Sequence, residues 1–359
     1  MRKILRIRIV PDELLNSRMR ISGIEFRIAD YIPERGNMRN GRLYVICALI
    51  LLGIAGTAAG CSIIASAPDH QDVLSILPSD CQFVFGLDVQ KLVASPSYAR
   101  FQKSNSQIGN DLTAFVEETG VDPERDIDFL IGAGRSGASV TERSVIIAVG
   151  KFDKDKINAY IQTKRKPVKT TYETASLWMF PDHQSDKIDK GIVILNDREI
   201  AFGDLDSLKA VIDVSEKGSR NIMLNPTMGP LIQDIDTDEM IWFAGDLNEA
   251  LAKGPVETPL GLNLSFIRTI VGTVNIGDTV VGKITAIAQD PDSAAQLANA
   301  VRGFIAIAQL TGSKNRGLKT LLSGLTVSQR STEVSVALNL PADVFNDQIL
   351  GLKSQAPSP

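Results

Sequence analysis

Histidine is nearly absent from this chain: 359 residues hold only His70 and His183. A catalytic zinc site of the common kind takes two or three histidines among its ligands, so such a site is disfavoured. No serine stands in a G-x-S-x-G turn, and His183 falls in a polar loop, Phe180–Asp189, so no Ser/His/Asp arrangement is expected. Cysteine is almost as scarce, with three in all. Cys47 and Cys61 lie in or at the end of an apolar run, which leaves Cys81 alone in the body and excludes an internal disulfide there. Cys81, opening an apolar strand, reads as a small buried residue. Aromatics make up 6 % of the chain. The body also lacks a basic excess. Residues 1–42 carry ten Lys/Arg against five Asp/Glu, leaving 28 basic and 37 acidic residues beyond them, net −9. An acidic body argues against nucleic acid as a partner and against an electrostatic hold on anionic lipid.

What the chain does have is Leu43–Cys61, LYVICALILLGIAGTAAGC, preceded by Arg39 and Arg42. A positive n-region, an apolar h-region and small residues before a cysteine make a signal segment. Thr57-Ala58-Ala59-Gly60-Cys61 resembles the cleavage box of bacterial lipoproteins. Ala59 and Gly60 match its pattern, while Ala58 departs from the large aliphatic residue usual three before the cysteine. The resemblance implies cleavage before Cys61, lipidation of Cys61, and contact with the membrane through residues 43–61. Ser62, in place of aspartate, implies by the same resemblance the outer membrane, with the body facing the periplasm. A single-pass inner-membrane anchor is the alternative, because the apolar stretch continues to Ala67 and reaches the ~20 residues a span requires. Ordinary signal cleavage is the third. The excess of Lys/Arg before the run puts the body outside the cytoplasm in each case. Met38 would open a signal of ordinary length, so residues 1–37 read as an upstream extension, or else a short cytoplasmic arm.

The rest divides by composition into a tether (62–77), a first unit (78–222), a second unit (223–352) and a disordered tail (353–359). The two units carry matched landmarks. Phe85-Gly86-Leu87-Asp88-Val89 ends a strand and caps a helix with Asp88, as Phe243-Ala244-Gly245-Asp246-Leu247 does with Asp246. Ser144–Ile161 is a strand and an Asp-initiated helix, and Thr279–Val301 repeats the order, with Pro291 just after the Asp290 cap. Gly191–Asp204 is a hairpin turning at Asn196-Asp197, and Leu325–Leu340 is another turning near Arg330-Ser331. The offsets are 158, about 137 and 134 residues. The expected fold is therefore α+β: two tandem copies of a mostly antiparallel sheet with helices packed on one face. The apolar helix Asp292–Leu310 is expected between the copies, with a membrane or partner contact as the alternative.

Three partial motifs do not carry their usual chemistry. Gly132-Ala133-Gly134-Arg135-Ser136-Gly137 matches G-x-G-x-x-G, but a strand and not a helix follows, so it reads as a hairpin loop. Gly277–Lys283, GDTVVGK, has Ile284 where a P-loop needs Ser/Thr, and lies within a strand. Asp234-Ile235-Asp236-Thr237-Asp238 begins like a calcium loop, but Glu239 and Gly245 replace its glycine and its final acid. No cofactor, metal or enzymatic activity is expected. The opening, with Leu77, Pro78, Asp80, Asp88, Val89 and Leu92, resembles uncharacterised exported bacterial families, which implies an exported α+β body and transfers no active site.

The resulting expectation is a non-catalytic envelope lipoprotein acting as a binding or scaffold module. A carrier of an apolar ligand, held between sheet and helix, is the second reading. A periplasmic hydrolase is the third, since carboxylate pairs are set by the fold and not by sequence spacing. Cys61→Ser should abolish incorporation of labelled palmitate and leave the precursor unprocessed, as read by gel autoradiography and intact mass; equal labelling of the variant contradicts the lipid anchor.

Overall fold

The computed structural model describes residues 19–21, 24–26, 70–104, 113, 116, 117, 119–135, 143–163, 167–181, 188–248, 266–311 and 316–348. The signal segment, Cys61, His183 and the tail lie outside the described residues. Met19–Ile21 (β1) and Ile24–Phe26 (β2) pair as a separate two-stranded ribbon.

The body is built on one antiparallel sheet of twelve strands. In chain order they are β3 (Phe83–Asp88), β4 (Ile127–Gly134), β5 (Ser144–Gly150), β6 (Val168–Tyr172), β7 (Ala175–Pro181), β8 (Ile188–Ile194), β9 (Glu199–Asp204), β10 (Ile241–Asp246), β11 (Ile267–Ile276), β12 (Thr279–Ala288), β13 (Leu325–Arg330) and β14 (Glu333–Pro341). Their order across the sheet is β13-β14-β12-β11-β10-β3-β4-β5-β9-β8-β7-β6. The α+β class and the antiparallel pairing stand as expected.

The two halves join through β3 and β10. Phe85 pairs with Phe243, Gly86 with Trp242 and Leu87 with Ile241. The Asp88 N–H donates to the Met240 carbonyl at 2.8 Å, and the Asp246 N–H donates to the Gln82 carbonyl at 2.7 Å. Outward from this pair the strands run β3-β4-β5-β9-β8 on one side and β10-β11-β12-β14-β13 on the other. Among the described residues the β6–β7 hairpin extends the first half only. A register shift falls between Ile127 and Phe129 in one half, and between Ile267 and Thr269 in the other. The joint is thus strand on strand, and not the helix expected between the copies.

Strand alternation divides the sheet into two faces. One bears Trp242, Val84, Ile131, Ile147 and Ala201. In the first half it is covered by helix α6 (Leu205–Lys217) through Leu208, Val211 and Ile212, and by α7 (Met228–Gln233) through Met228 and Ile232. Helix α6 has clear ends: the Asp204 carboxylate accepts from the Ser207 N–H, and Gly218 closes the helix at φ 64°, where a side chain would be strained. The opposite face bears Phe85, Leu130, Ala148 and Ile200. There α5 (Lys154–Thr163) packs through Ile157 and Ile161. Both faces of the first half are covered, which corrects the expected single helix layer. It also explains the unbroken apolar runs DFLIGAG and VIIAVG, which strands buried on both sides require.

The second half differs. Helix α8 (Pro291–Thr311) lays Ala294, Leu297 and Ala298 on Ala286, Ala288 and Val334, all on the Phe85 face. Helix α9 (Arg316–Ser323) leads into β13, and α10 (Ala342–Gln348) packs Val344 and Phe345 near Val280 and Leu340, also on the Phe85 face. The Trp242 face of this half carries Thr269, Thr273, Lys283, Thr285 and Ser335. Two of them meet across strands, Thr285 Oγ1 to Ser335 Oγ at 2.8 Å.

The expected tether is folded from His70 onward. Helix α1 (His70–Leu74) and the turn after it bury Val73, Leu74 and Leu77 completely. The Ile222 N–H donates to the Leu77 carbonyl at 2.8 Å, which fixes this segment under the connection between the halves.

Glycines make room for rings at the sheet centre. A Cβ at Gly132 would lie 2.0 Å from the Phe85 ring, one at Gly272 2.5 Å from the Phe243 ring, and one at Gly86 2.2 Å from Trp242. Each is far inside van der Waals contact, so the rings lie across the neighbouring strand where a side chain is missing. Gly132→Val and Gly272→Val should each cost about 1–3 kcal/mol from overpacking, measured by urea unfolding; an unchanged midpoint contradicts the ring placement.

Candidate binding face

The Phe85 face is the candidate site, because near the centre of the sheet it sets three half-buried phenylalanines on the same face as an exposed isoleucine. Its centre is formed by Phe83 and Phe85 of β3, Phe243 of β10 and Ile270 of β11, all partly buried. Phe83 lies against Gly134 as Phe85 does against Gly132, with an added Cβ meeting the Phe83 ring at 2.3 Å. Towards the second half, Ile284 of β12 is 42 % exposed. On α8, Phe304 and Ile307 are 40 % and 62 % exposed and stand one turn apart, so they form one ridge. The N-terminal half of α8 is core, while its C-terminal half turns these two side chains outward. The helix is therefore buried on one side, not two.

The polar clusters are explained by structure. Tyr172 Oη donates to both oxygens of Asp213 at 3.0 and 3.1 Å, and Lys217 Nζ lies 2.8 Å from Glu173 and 2.9 Å from Asp213. Lys217, then the Tyr172 hydroxyl, hold the Asp213 carboxyl below its usual range, against the desolvation that raises it. This group locks the β6–β7 turn, where Glu173 sits at φ 52°, onto α6. The Arg198 guanidinium meets Asp128 at 3.0 Å and ties the β8–β9 turn to β4.

Cys81 is 3 % exposed, and burial pushes its thiol up to about 12, with Asp80 adding to the rise and Arg135 opposing it. A thiol in that state is protonated at neutral pH and is no nucleophile. The Gly132–Arg135 segment ends β4 and is followed by β5, and GDTVVGK runs into β12, so neither offers a helix N-terminus to a phosphate. In the Asp234–Asp238 turn, the Asp236 carboxylate accepts from the Asp238 N–H at 3.0 Å, and the Asp238 carbonyl accepts from Lys91. That turn anchors helix α2 (Val89–Val93). Among the described residues no group of three His, Cys, Asp or Glu side chains is placed to hold a metal.

Sequence reasoning placed Phe85 and Phe243 at matching positions but did not find that they face each other across one strand pair. Each ring is opposed by a glycine of the next strand, Gly132 beside Phe85 and Gly272 beside Phe243, at unequal sequence separations that give no local signal.

No protein-family model matches the chain, and no curated protein matches it. Among solved structures it is similar to TP0453. Crystal form I of that protein aligns at 8 % identity with a TM-score of 0.42, covering 78 % of this chain and 97 % of that one. Crystal form III aligns at 8 % identity with a TM-score of 0.43, covering 77 % and 97 %.

Proposed function

We propose that this chain is a non-catalytic lipoprotein of the cell envelope, tethered through Cys61, whose Phe85 face is a binding surface for another molecule. The observation that carries the reading is the exposed ridge of Phe304 and Ile307 on a helix whose other side is core. Exposed apolar patches on soluble proteins mark interaction sites more often than they occur idly. The anchor rests on the Cys61 sequence context and places the body at the periplasmic side of the outer membrane, with a single-pass inner-membrane anchor as the competing address. Among the described residues no helix is long and apolar enough to cross a membrane; residues 43–61 lie outside that description.

A second reading is favoured by the aromatic floor. Phe83, Phe85 and Phe243 reach over Gly134, Gly132 and Gly272, which is a surface suited to an apolar small molecule held between sheet and helix.

We further propose that the halves are copies of one unit. Equal strand order, equal placement of the register shifts, and the Phe85·Phe243 pair at the centre of an antiparallel joint support it. The copies have since diverged: α6 covers the Trp242 face in one, and α10 sits on the Phe85 face in the other.

A photo-crosslinking residue placed at Phe304 or Ile307 in the native envelope should give a discrete adduct, while one at the exposed Val168 of β6 should not. Adducts equal at all three sites, or at none, contradict a binding surface on α8. Solvent extraction of purified protein followed by mass spectrometry tests the carrier: a stoichiometric apolar compound, lost in Phe243→Ser, is expected of that reading alone.

A further inference from the structure

Helix α3 (Pro96–Ser104) belongs to the first half and α10 to the second, yet they touch. Arg100 Nη1 meets Asp343 Oδ1 at 2.6 Å, with the aspartate almost fully in water. One turn away on each helix stand Ser97 and Asn346, 3 % and 2 % exposed. Ser97 Oγ and Asn346 Oδ1 are buried without a hydrogen-bond partner. Buried polar atoms in this condition carry a desolvation penalty that the closed state does not repay, and that water would relieve on opening. The first half keeps its own helix by other means. Tyr98 Oη donates to Glu124 Oε1 at 2.9 Å inside the protein, and the Tyr98 N–H donates to the Ser95 Oγ at 3.2 Å. Gln90 Nε2 donates to the carbonyls of Glu124 and Ile127 at 2.9 and 2.6 Å, so α2, α3 and α4 (Pro123–Asp126) form one block. By contrast α10 has seven residues, follows Pro341 at the end of β14, and is held in its own half by packing on α9 and the Ala342 N–H to Asp278 carbonyl bond at 3.0 Å, so α9 moves with it.

We propose that α10 is a lid, latched to α3 by Arg100–Asp343 and built to release. When it swings from the sheet, Val344 and Phe345 leave an apolar row made by Val274, Ile276, Val280, Leu338 and Leu340. That row continues the exposed Ile284 along the same face, so the lid sets how much apolar surface the second half shows. The two unpaired atoms make the joint weak by design of the sequence: an alanine and a leucine in their places would close it. The lid does not depend on lipidation or on a particular ligand, and it goes beyond the binding reading above.

Hydrogen exchange on the full chain tests it. In the wild type, protected amides of α3's last turn and of α10 should exchange faster than those of β4 and β5, with α10 the faster of the two helices. Arg100→Glu should speed α10 about fivefold, the scale of an exposed ion pair, and raise the fluorescence of an apolar dye, while α6 is unchanged. Ser97→Ala with Asn346→Leu removes both unpaired atoms and should slow α10 about tenfold, the factor for one relieved buried polar group, and lower dye binding. The β4 and β5 amides serve as the reference for global stability. Overturning results are α10 exchange no faster than that of β4, or no slowing of α10 in the double variant while β4 and β5 hold their rates.

Discussion

The antiparallel pairing of β3 with β10 is the constraint on which the remaining structure rests. It makes one sheet of what would otherwise be two, each with a bare edge. Five residue pairs line the joint, from Ile241↔Leu87 to Gly245↔Phe83. Cross-strand pairs contribute roughly 0.2–1 kcal/mol each, so the pairing as such is worth a few kcal/mol. The larger contribution is burial: Trp242 is fully covered on one face, and truncating such a residue costs about 3–5 kcal/mol. The ring can lie there because Gly86, its direct partner, has no side chain. On the other face the same strands hold Phe85 and Phe243 over Gly132 and Gly272. The joint therefore links three glycines or rings in each half, Phe85, Gly86 and Gly132 with Trp242, Phe243 and Gly272, and a change at one is felt at the other.

From this joint the two halves run outward in the same order but end differently. The first half is sealed above and below by α5, α6 and α7. The second half has its described helices on the Phe85 face, where α8 covers only part of it and α10 is held by packing on α9, a short apolar contact with the sheet, the Ala342 N–H to Asp278 carbonyl bond and the ion pair to α3. Exposed apolar side chains gather there: Ile284, Phe304 and Ile307. The Trp242 face of the second half is mixed, with Thr285 and Ser335 satisfying each other and Val281 exposed. The first half, covered on both faces, and the second, with part of its Phe85 face open, are the basis of the binding reading proposed above.

Much of the local structure was legible. Asp88, Asp153, Asp204 and Asp290 cap the elements they precede, because a carboxylate before a helix accepts from amides that have no partner within it. The hairpins turn at Asn196-Asp197 and at Ser331, where φ is 50°. These are short-range effects written in adjacent residues. What was illegible is long-range. The β3–β10 pairing joins residues 158 apart with no turn to announce it. The burial of Val73, Leu74 and Leu77 follows from Ile222 docking above them, so a segment whose neighbours are Pro68 and His70 looked like a tether. Helix α8 was too apolar to read as one-sided, since its outward residues Phe304 and Ile307 are as hydrophobic as its core residue Leu297. The candidate site was legible only as an excess of apolar residues on that helix; its aromatic floor needed the sheet order.

The two tryptophans divide the body evenly: Trp178 lies in β7 of the first half and Trp242 in β10 of the second. The most direct test of a single sheet closed by β3 and β10 is urea unfolding of Trp178→Phe and Trp242→Phe, each followed by the fluorescence of the remaining tryptophan. Coincident transitions with the same dependence on urea are predicted once each variant's own stability is matched by circular dichroism. Two separated transitions, with the Trp242 signal lost while the first half stays folded, would contradict it.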